Sequence, residues 1–279
     1  MNDLNQIKNK HKSQKIGIFD SGLGGLYVGR AIAKMMPQYD YVYLGDTLNV
    51  PYGGRSMENI YNLSKSAINF LMQDQGCDLV IIACNTASVT ALRKLQTEYL
   101  PENYPENRIL GVVVPTLEAA TELGASQIGL IATAYTIRSK IYEEEIQKIN
   151  PHAQIFGQPT PLLVPLIEND GAKYMDMILS DYLEPLITQG LDSLILGCTH
   201  YISIKDKVRD LTNHRVRVLS QDEIIPPKLN DYLTRHPEMM ERLSQNGTFS
   251  AFVTDDSPQT VKNIQNLMQS DIAVQKISY

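Results

Sequence analysis

The chain is poor in cysteine and in clustered positive charge. Only three of its 279 residues are cysteines; they are too few and too scattered for a disulfide framework, so we expect reduced thiols and a cytoplasmic protein. The formal net charge is −6, and no long Lys/Arg face is present to follow phosphates, which argues against nucleic acid as the main ligand. Residues 1–14 are polar and fit neither a secretory signal nor a membrane span. We predict a flexible N-terminal tail there and no membrane partner.

The spacings typical of metal sites are also missing. The sequence contains neither C-x-x-C nor H-x-x-x-H, so only Cys84, Cys198, His200 and Asp20 remain as side chains that could converge on an ion. Structural zinc sites usually have closer ligand pairs. We therefore predict no metal.

The turn from Asp20 to Gly25 is rich in glycine, yet it does not fit a nucleotide site. The pattern G-x-G-x-x-G would need glycine where Tyr27 stands, and no Gly-Lys-Ser/Thr follows. Two interpretations remain for this turn. It is either a tight pocket for a small carboxylate, with Asp20 facing a substrate amine, or a plain turn in which Asp20 caps a helix.

Short β-branched runs alternate with helical patterns almost from end to end, which is typical of parallel α/β layering. The spacing predicts helices over 87–99, closed by Pro101, and over 136–149, and a continuous loop over 157–165. The predicted strands are Ile16–Phe19, Tyr41–Leu44, Leu79–Ala83, Ile109–Val113, Ile128–Ala132, Leu194–Leu196, Val216–Leu219 and Phe249–Thr254.

Two pairs of segments repeat at nearly the same distance. Residues 75–86 align with 189–200 at an offset of 114, and residues 15–20 align with 127–132 at an offset of 112. The chain is long enough for two compact units, so a duplicated α/β unit is indicated. We predict a first domain of residues 15–112 plus 223–279 and a second domain of residues 113–222.

The alignment places Cys84 and Cys198 at equivalent points, facing one cleft from opposite sides. Ligands of open α/β sheets bind beyond the carboxyl ends of strands, and Asp20, Asp46 and Thr133 also stand at such ends. Two thiols that flank a substrate can remove a proton from one face and return it to the other. Cys77, by contrast, aligns with a leucine and fits a small buried hydrophobe.

Polar pairs follow each of the two aligned cysteines, Asn85-Thr86 after the first and Thr199-His200 after the second. A helix that starts at this point offers free backbone N–H groups and a positive dipole end. Both features favour a thiolate, and the same amides can hold a carboxylate. The turn at Pro51-Tyr52-Gly53 can present further amides and a phenol over the cleft.

Five short motifs together resemble those of the glutamate racemases, members of the cofactor-independent aspartate/glutamate racemase family. They are FDSGLGG (19–25), YLGD (43–46), PYG (51–53), ACNTA (83–87) and LGCTHY (196–201). The resemblance implies two pseudosymmetric, doubly wound α/β domains with mainly parallel sheets and the active site at the domain interface. It also implies interconversion of L- and D-glutamate for peptidoglycan synthesis, without pyridoxal phosphate or metal.

The resemblance implies roles for individual residues. Cys84 is similar to the base that acts on D-glutamate, and Cys198 to the base that acts on L-glutamate. Auxiliary acid/base or orienting groups are implied at Asp20, Asp46, Glu168 and His200. The substrate-binding set implied by the resemblance and by the strand ends is Asp20, Ser21, Asp46, Pro51, Tyr52, Gly53, Asn85, Thr86, Thr133, Thr199 and His200.

Some family members are activated by a muramyl nucleotide precursor, so such an activator and a homodimer are expected partners beside glutamate. The chain departs from the family pattern at Ile202-Ser203 and at Ser220-Gln221, where the second departure bears on the hinge and the far wall of the pocket.

Three other functions stay open from the residues alone: lyase or isomerase chemistry on another dicarboxylic acid, aspartate racemisation, and amino-acid binding without catalysis. The last gives no reason for a thiol in each half.

Overall fold

A computed structural model describes residues 14–169, 171–268 and 272–278. Residues 1–13, which make up nearly all of the predicted tail, lie outside the described residues. The chain forms two separate sheets in which every strand pair is parallel. In the part of the chain that the structure describes, no helix is both long enough and apolar enough to cross a membrane.

The first sheet has six strands in the order β10-β9-β2-β1-β3-β4. Strands β1, β2 and β3 are almost wholly buried, as expected for parallel strands with helices on both faces. The strands are β1 (Lys15–Asp20), β2 (Tyr41–Gly45), β3 (Cys77–Ile82), β4 (Arg108–Gly111), β9 (Phe249–Val253) and β10 (Val274–Lys276).

The second sheet has four strands in the order β6-β5-β7-β8. They are β5 (Gln127–Ala132), β6 (Gln154–Pro159), β7 (Ser193–Gly197) and β8 (Arg217–Leu219). The order repeats the β2-β1-β3-β4 part of the first sheet, strand for strand. The predicted α/β class, parallel sheets and duplication are therefore confirmed.

Helices connect the strands and cover the sheets. An apolar cluster runs from one sheet to the other, since Ile18, Leu117, Ile128 and Leu229 belong to it together. The helices are α1 (Gly25–Met35), α2 (Met57–Asn69), α3 (Asn85–Lys94), α4 (Leu100–Asn103), α5 (Val113–Glu122), α6 (Ala134–Ser139), α7 (Ile141–Ile149), α8 (Leu163–Glu168), α9 (Ala172–Ile187), α10 (Lys205–Leu211), α11 (Gln221–Arg235), α12 (Pro237–Met240) and α13 (Pro258–Met268).

The predicted loop over 157–165 is wrong at both of its ends. Strand β6 extends to Pro159, where a proline is tolerated because β6 is an edge strand of its sheet. Pro165 lies in the first turn of α8, where the missing N–H has no helical partner to lose. The loop is therefore confined to residues 160–162.

The two predicted helices also differ from the structure. After α3, a π-helical turn over Leu95–Tyr99 leads directly into α4, so the helical path continues past Pro101. The segment 136–149 is split into α6 and α7 at Lys140, which has a φ of 59°. Pro101 is the second residue of α4, directly after the π-helical turn.

The C-terminal segment returns to the first sheet. Strand β9 pairs with β2, and the buried Asp40 carboxylate, just before β2, accepts hydrogen bonds from Asn246 and Thr248, just before β9. Burial opposes the charge, but the nearby Ser244 side chain and these hydrogen bonds outweigh it and lower the pKa of Asp40 to about 2. The domain limits themselves stay a prediction.

We expect Asp40→Asn to lower the free energy of unfolding by roughly 1–3 kcal/mol at neutral pH. The folded pKa is about 2 and the unfolded value is about 3.9. The stabilisation is therefore complete above the unfolded value and disappears as the pH falls through the folded one. Urea unfolding between pH 7 and pH 3 measures the difference, with Asp181→Asn on the exposed surface as control. A difference that stays constant over this range would contradict the assignment.

Candidate active site

A cavity of about 400 Å³ lies beyond the carboxyl ends of the central strands of both sheets. Cys84 follows β3 and Cys198 follows β7, and both line it. Both thiols are nearly inaccessible, at 5% and 7% exposure. Twelve of the predicted site residues lie on its wall: Ser21, Pro51, Tyr52, Gly53, Cys84, Asn85, Thr86, Thr133, Glu168, Cys198, Thr199 and His200.

Asp20 lies behind the wall instead of on it. Its carboxylate is fully buried, and it accepts hydrogen bonds from the backbone N–H of Gly22 at 3.1 Å and from the Thr199 hydroxyl at 3.3 Å. Burial raises the pKa of Asp20, although the charge of His200 and these hydrogen bonds act in the opposite direction. Asp20 thus joins the first sheet to the residue that follows Cys198.

Asp46 also lies outside the cavity wall. Its carboxylate accepts hydrogen bonds from the Tyr52 hydroxyl at 2.7 Å, from the Thr254 hydroxyl at 2.8 Å and from the Asn49 amide at 3.0 Å. All of these partners belong to the same half of the molecule. Asp46 therefore contacts the site through Tyr52, whose ring lines the cavity.

Cys84 caps the N-terminus of α3. Its sulfur accepts a hydrogen bond from the backbone N–H of Ala87 at 3.4 Å and lies 3.2 Å from the Ser21 hydroxyl. Burial raises the pKa of Cys84 to about 12, with a further contribution from the negative charge of Asp20. The helix start and Ser21 act in the opposite direction but do not overcome burial. The balance favours the neutral thiol of Cys84.

Cys198 has a different neighbour, the imidazole of His200. The Cys198 sulfur lies 3.8 Å from Nδ1, and Glu168 Oε1 lies 2.9 Å from Nε2. The imidazole thus lies between the Cys198 thiol and the Glu168 carboxylate. Burial opposes a charge on His200, but Cys198, Glu168 and Asp20 together raise its pKa well above the usual value.

Different helix types follow the two cysteines. The segment after Cys84 is the α-helix α3, and the segment after Cys198 is a 3₁₀ helix over Thr199–Ile204 that precedes α10. The departure at Ile202-Ser203 falls inside this 3₁₀ helix. The start of α3 gives a backbone N–H bond to the Cys84 sulfur, whereas Cys198 makes no such bond to the 3₁₀ helix that follows it. The predicted N–H donor beside each thiol is therefore present in the structure at Cys84 alone.

Hydroxyl groups from both halves meet on one side of the cavity. The Thr86 hydroxyl lies 3.1 Å from that of Thr133, which lies 3.0 Å from that of Thr136. Thr133 caps α6 by accepting a hydrogen bond from the backbone N–H of Thr136. This hydroxyl cluster provides donors and acceptors that rotate to suit a bound group.

The glycine-rich turn serves close packing between the halves. A Cβ on Gly24 would lie 2.5 Å from the Thr199 hydroxyl and 2.8 Å from the His200 backbone nitrogen. Only glycine lets the turn after β1 approach the segment after Cys198 this closely. The turn is therefore part of the wall between the halves, and Asp20 is held within it.

Several residues at or behind the site were not predicted. Thr160 and Tyr201 line the cavity, with their hydroxyl oxygens 2.6 Å apart. Tyr142 and Gln221 lie behind the wall and contact Asn85. The available signals were that Tyr201 stands inside a quoted motif and that Gln221 belongs to the departure at Ser220-Gln221. Nothing in the local sequence marks Tyr142.

The third cysteine lies away from the cavity. Cys77 is the first residue of β3 and is completely buried, and burial raises the pKa of its thiol. Its side chain packs with Val80 and Leu95 in the core of the first half. Among the described residues, no three His, Cys, Asp or Glu side chains converge to hold a metal ion.

Comparison with known proteins gives consistent matches. Residues 27–222 match the family model described as Asp/Glu/Hydantoin racemase. A glutamate racemase of Dinoroseobacter shibae is 38% identical over 266 residues, which cover 89% of this chain and 93% of that protein. A crystal structure of a glutamate racemase isoform from Bacillus anthracis superposes with a TM-score of 0.85 at 28% identity, covering 96% of this chain and 98% of that one. A crystal structure of a Francisella tularensis glutamate racemase in complex with D-glutamate superposes with a TM-score of 0.84 at 27% identity, covering 96% of this chain and 98% of that one.

Removal of the Glu168 charge tests the electrostatics of the site. We expect Glu168→Gln to lower the pKa of His200, because the neighbouring carboxylate favours the protonated imidazole. Cys198→Ala should lower it as well, because it removes the polar group 3.8 Å from the imidazole Nδ1. The imidazole C–H resonances measured against pH by NMR give the value. Glu238→Gln, which removes the carboxylate beside His236, is the control; an unchanged His200 titration in both site variants would refute the arrangement.

Proposed function

The chain belongs to the Asp/Glu/hydantoin racemase family, and on that basis we propose that it is a glutamate racemase that interconverts L- and D-glutamate. The observation that supports the reaction most directly is the placement of Cys84 and Cys198 on the wall of one cavity. Each thiol comes from a different sheet, at equivalent strands of the repeated order. A substrate between them presents its two faces to two separate acid/base groups.

The reaction is a transfer of one proton in and one proton out. One cysteine, as thiolate, takes the α-proton of glutamate and becomes a thiol. The opposite thiol gives its proton to the other face of the same carbon and becomes a thiolate. The electron pair left on the carbon is spread into the neighbouring carboxylate, which backbone N–H groups and hydroxyls stabilise.

The two thiols have unequal environments before substrate binds. Cys84 is held as a neutral thiol by burial, which suits a proton donor. Cys198 lies beside His200, and an imidazolium at that distance attracts the negative charge of a thiolate. With Cys198 as the thiolate, it takes the α-proton of L-glutamate, and Cys84 gives the proton that forms D-glutamate. The reverse reaction starts from the opposite protonation state.

The remaining site residues fall into those that contact substrate and those that hold others. We assign substrate contacts to Ser21, Thr86, Thr133 and Thr199 and to the backbone of Gly53. Pro51 and Tyr52 close one side of the cavity. Asp20 positions Thr199, Asp46 positions Tyr52, and Glu168 supports the charge of His200.

Several partners are proposed from the resemblance alone. D-glutamate from this reaction would enter peptidoglycan synthesis in the cytoplasm. An Escherichia coli glutamate racemase has been solved with L-glutamate and the activator UDP-MurNAc-Ala. At 23% identity that structure shares only the fold with this chain. Control by such an activator and a homodimer therefore stay predictions.

Substitution of each cysteine tests the two-base reaction. We expect Cys84→Ala and Cys198→Ala each to reduce racemisation of glutamate by about 10²–10⁴-fold, because each removes one of the two proton-transfer groups. Proton NMR in D₂O measures loss of the α-proton, and circular dichroism measures loss of optical activity. Cys77→Ala is the matched control and should keep turnover while it loses some stability.

A folded single variant of Cys84 or Cys198 that racemises at the wild-type rate would exclude the two-base reaction. Aspartate is the comparison substrate. Faster exchange of the α-proton with aspartate than with glutamate would indicate an aspartate racemase of the same family.

A further inference from the structure

The side chain of Asn85 is held by two residues that have no part in the proposed proton transfer. Its Oδ1 accepts hydrogen bonds from the Tyr142 hydroxyl at 2.6 Å and from Gln221 Nε2 at 2.8 Å. Its Nδ2 donates to Gln221 Oε1 at 3.0 Å. All three side chains are buried: Asn85 is 2% exposed and the other two are inaccessible. The contacts therefore form in a medium where an unpaired polar group is costly.

These contacts leave Asn85 with one unused hydrogen-bonding group. An amide carries two acceptor positions on oxygen and two N–H donors on nitrogen. Both acceptor positions and one donor are occupied, so one N–H remains. Asn85 lines the cavity directly after Cys84. Asn85 can therefore offer a ligand one N–H donor.

Tyr142 decides which way the amide is turned. A joint rotation of the Asn85 and Gln221 amides would preserve their mutual pair but would place a nitrogen against the phenol. The Tyr142 hydroxyl is buried, and among the described residues it donates a hydrogen bond to no other acceptor. Its proton needs the Asn85 oxygen, so the rotated form would leave a buried donor unpaired at a cost of roughly 1–3 kcal/mol.

The hydrogen bonds of Asn85 with Tyr142 and Gln221, called the lock below, also join the two halves of the molecule. Asn85 begins α3 after β3 of the first sheet, whereas Tyr142 lies on α7 and Gln221 begins α11 after β8 of the second sheet. The Asn85 amide therefore has its orientation set by the half that carries the opposite thiol.

We infer that Gln221 and Tyr142 are positioning residues that fix the Asn85 amide as a hydrogen-bond donor toward the substrate carboxylate. This inference rests on the proposed racemisation of glutamate. A donor fixed in advance stabilises the charge that develops on the carboxylate when the α-proton leaves. Because the carboxylate carries this charge in both directions, the effect is the same for L- and D-glutamate.

Gln221→Ala and Tyr142→Phe test the lock from its two sides. We expect each to lower kcat/KM by about 10–100-fold in both directions, as for other residues that orient a site group. Tyr41→Phe removes a buried hydroxyl bonded to a backbone carbonyl, and Asn107→Ala removes a buried amide bonded likewise. These controls should lose stability but keep the wild-type kcat/KM of the folded protein.

A double-substitution cycle separates positioning from general damage. If Gln221 acts through Asn85, then Asn85→Ala combined with Gln221→Ala has the same kcat/KM as Asn85→Ala alone, within about twofold. If the double variant instead shows a reduction in kcat/KM equal to the product of the two single reductions, the inference is wrong. Unchanged kcat/KM in folded Gln221→Ala would overturn it as well.

Gln221→Glu supplies a readout that a merely structural role would not move. The ionised carboxylate cannot donate to Asn85 Oδ1, whereas the protonated acid has one donor and one acceptor, as glutamine does. We therefore expect kcat/KM relative to wild type to rise as the pH is lowered through the pKa of the introduced group. A pH profile parallel to wild type would count against the lock.

Failure of the proposed function is recognised separately. If the wild-type protein does not exchange the α-proton of glutamate in D₂O, the assigned reaction fails whatever the variants do. The lock is then measured directly on the Asn85 side-chain amide by ¹⁵N NMR. Slow exchange of one Nδ2 proton in wild type that becomes fast in Gln221→Ala supports the lock, and equal exchange in both proteins refutes it.

Discussion

The structure depends on the direction of its strands. In a parallel sheet all carboxyl ends lie on one edge, so side chains that follow neighbouring strands meet there. The chain repeats one strand order in two sheets, and the two edges share one cavity. Cys84 and Cys198 face this space because each follows the equivalent strand. A protein that needs two acid/base groups on opposite faces of a small molecule obtains them from one duplicated pattern.

The two halves are connected by polar contacts that surround the cavity. Asp20 binds Thr199, Thr86 approaches Thr133, and Asn85 binds Gln221. Each pair joins a residue after a strand of one sheet to a residue of the other half. Buried hydrogen bonds of this kind are favourable only when every partner is in place. The halves thus have a defined closed arrangement, in which water has little access to the thiols.

Much of this arrangement could be predicted from sequence, because it follows from local patterns. The repeated segments identified the equivalent cysteines, and β-branched runs identified most strands. Strand β6 was missed because it is an edge strand with an exposed, mixed composition that ends in proline. The lock on Asn85 was missed for a different reason. Tyr142 and Gln221 are distant in sequence, and only the packing of α7 and α11 brings them together.

Asp46 also shows that a position in the sequence does not reveal which contacts its side chain makes. Its position after a strand predicted a site residue, and the structure gives it three hydrogen bonds that hold Tyr52 and the C-terminal return. A strand end marks proximity to the cavity, but not which side chains reach into it. That depends on where the neighbouring turns pass, and close approaches such as Gly24 against Thr199 are set by tertiary packing.

Burial of Cys84 has a consequence for chemical durability. Peroxides and alkylating agents attack thiolates, and burial raises the pKa of Cys84, which disfavours the thiolate at neutral pH. Oxidation to sulfenic acid follows the same dependence on ionisation and access. The buried environment that favours the protonated thiol therefore also slows its oxidation and alkylation.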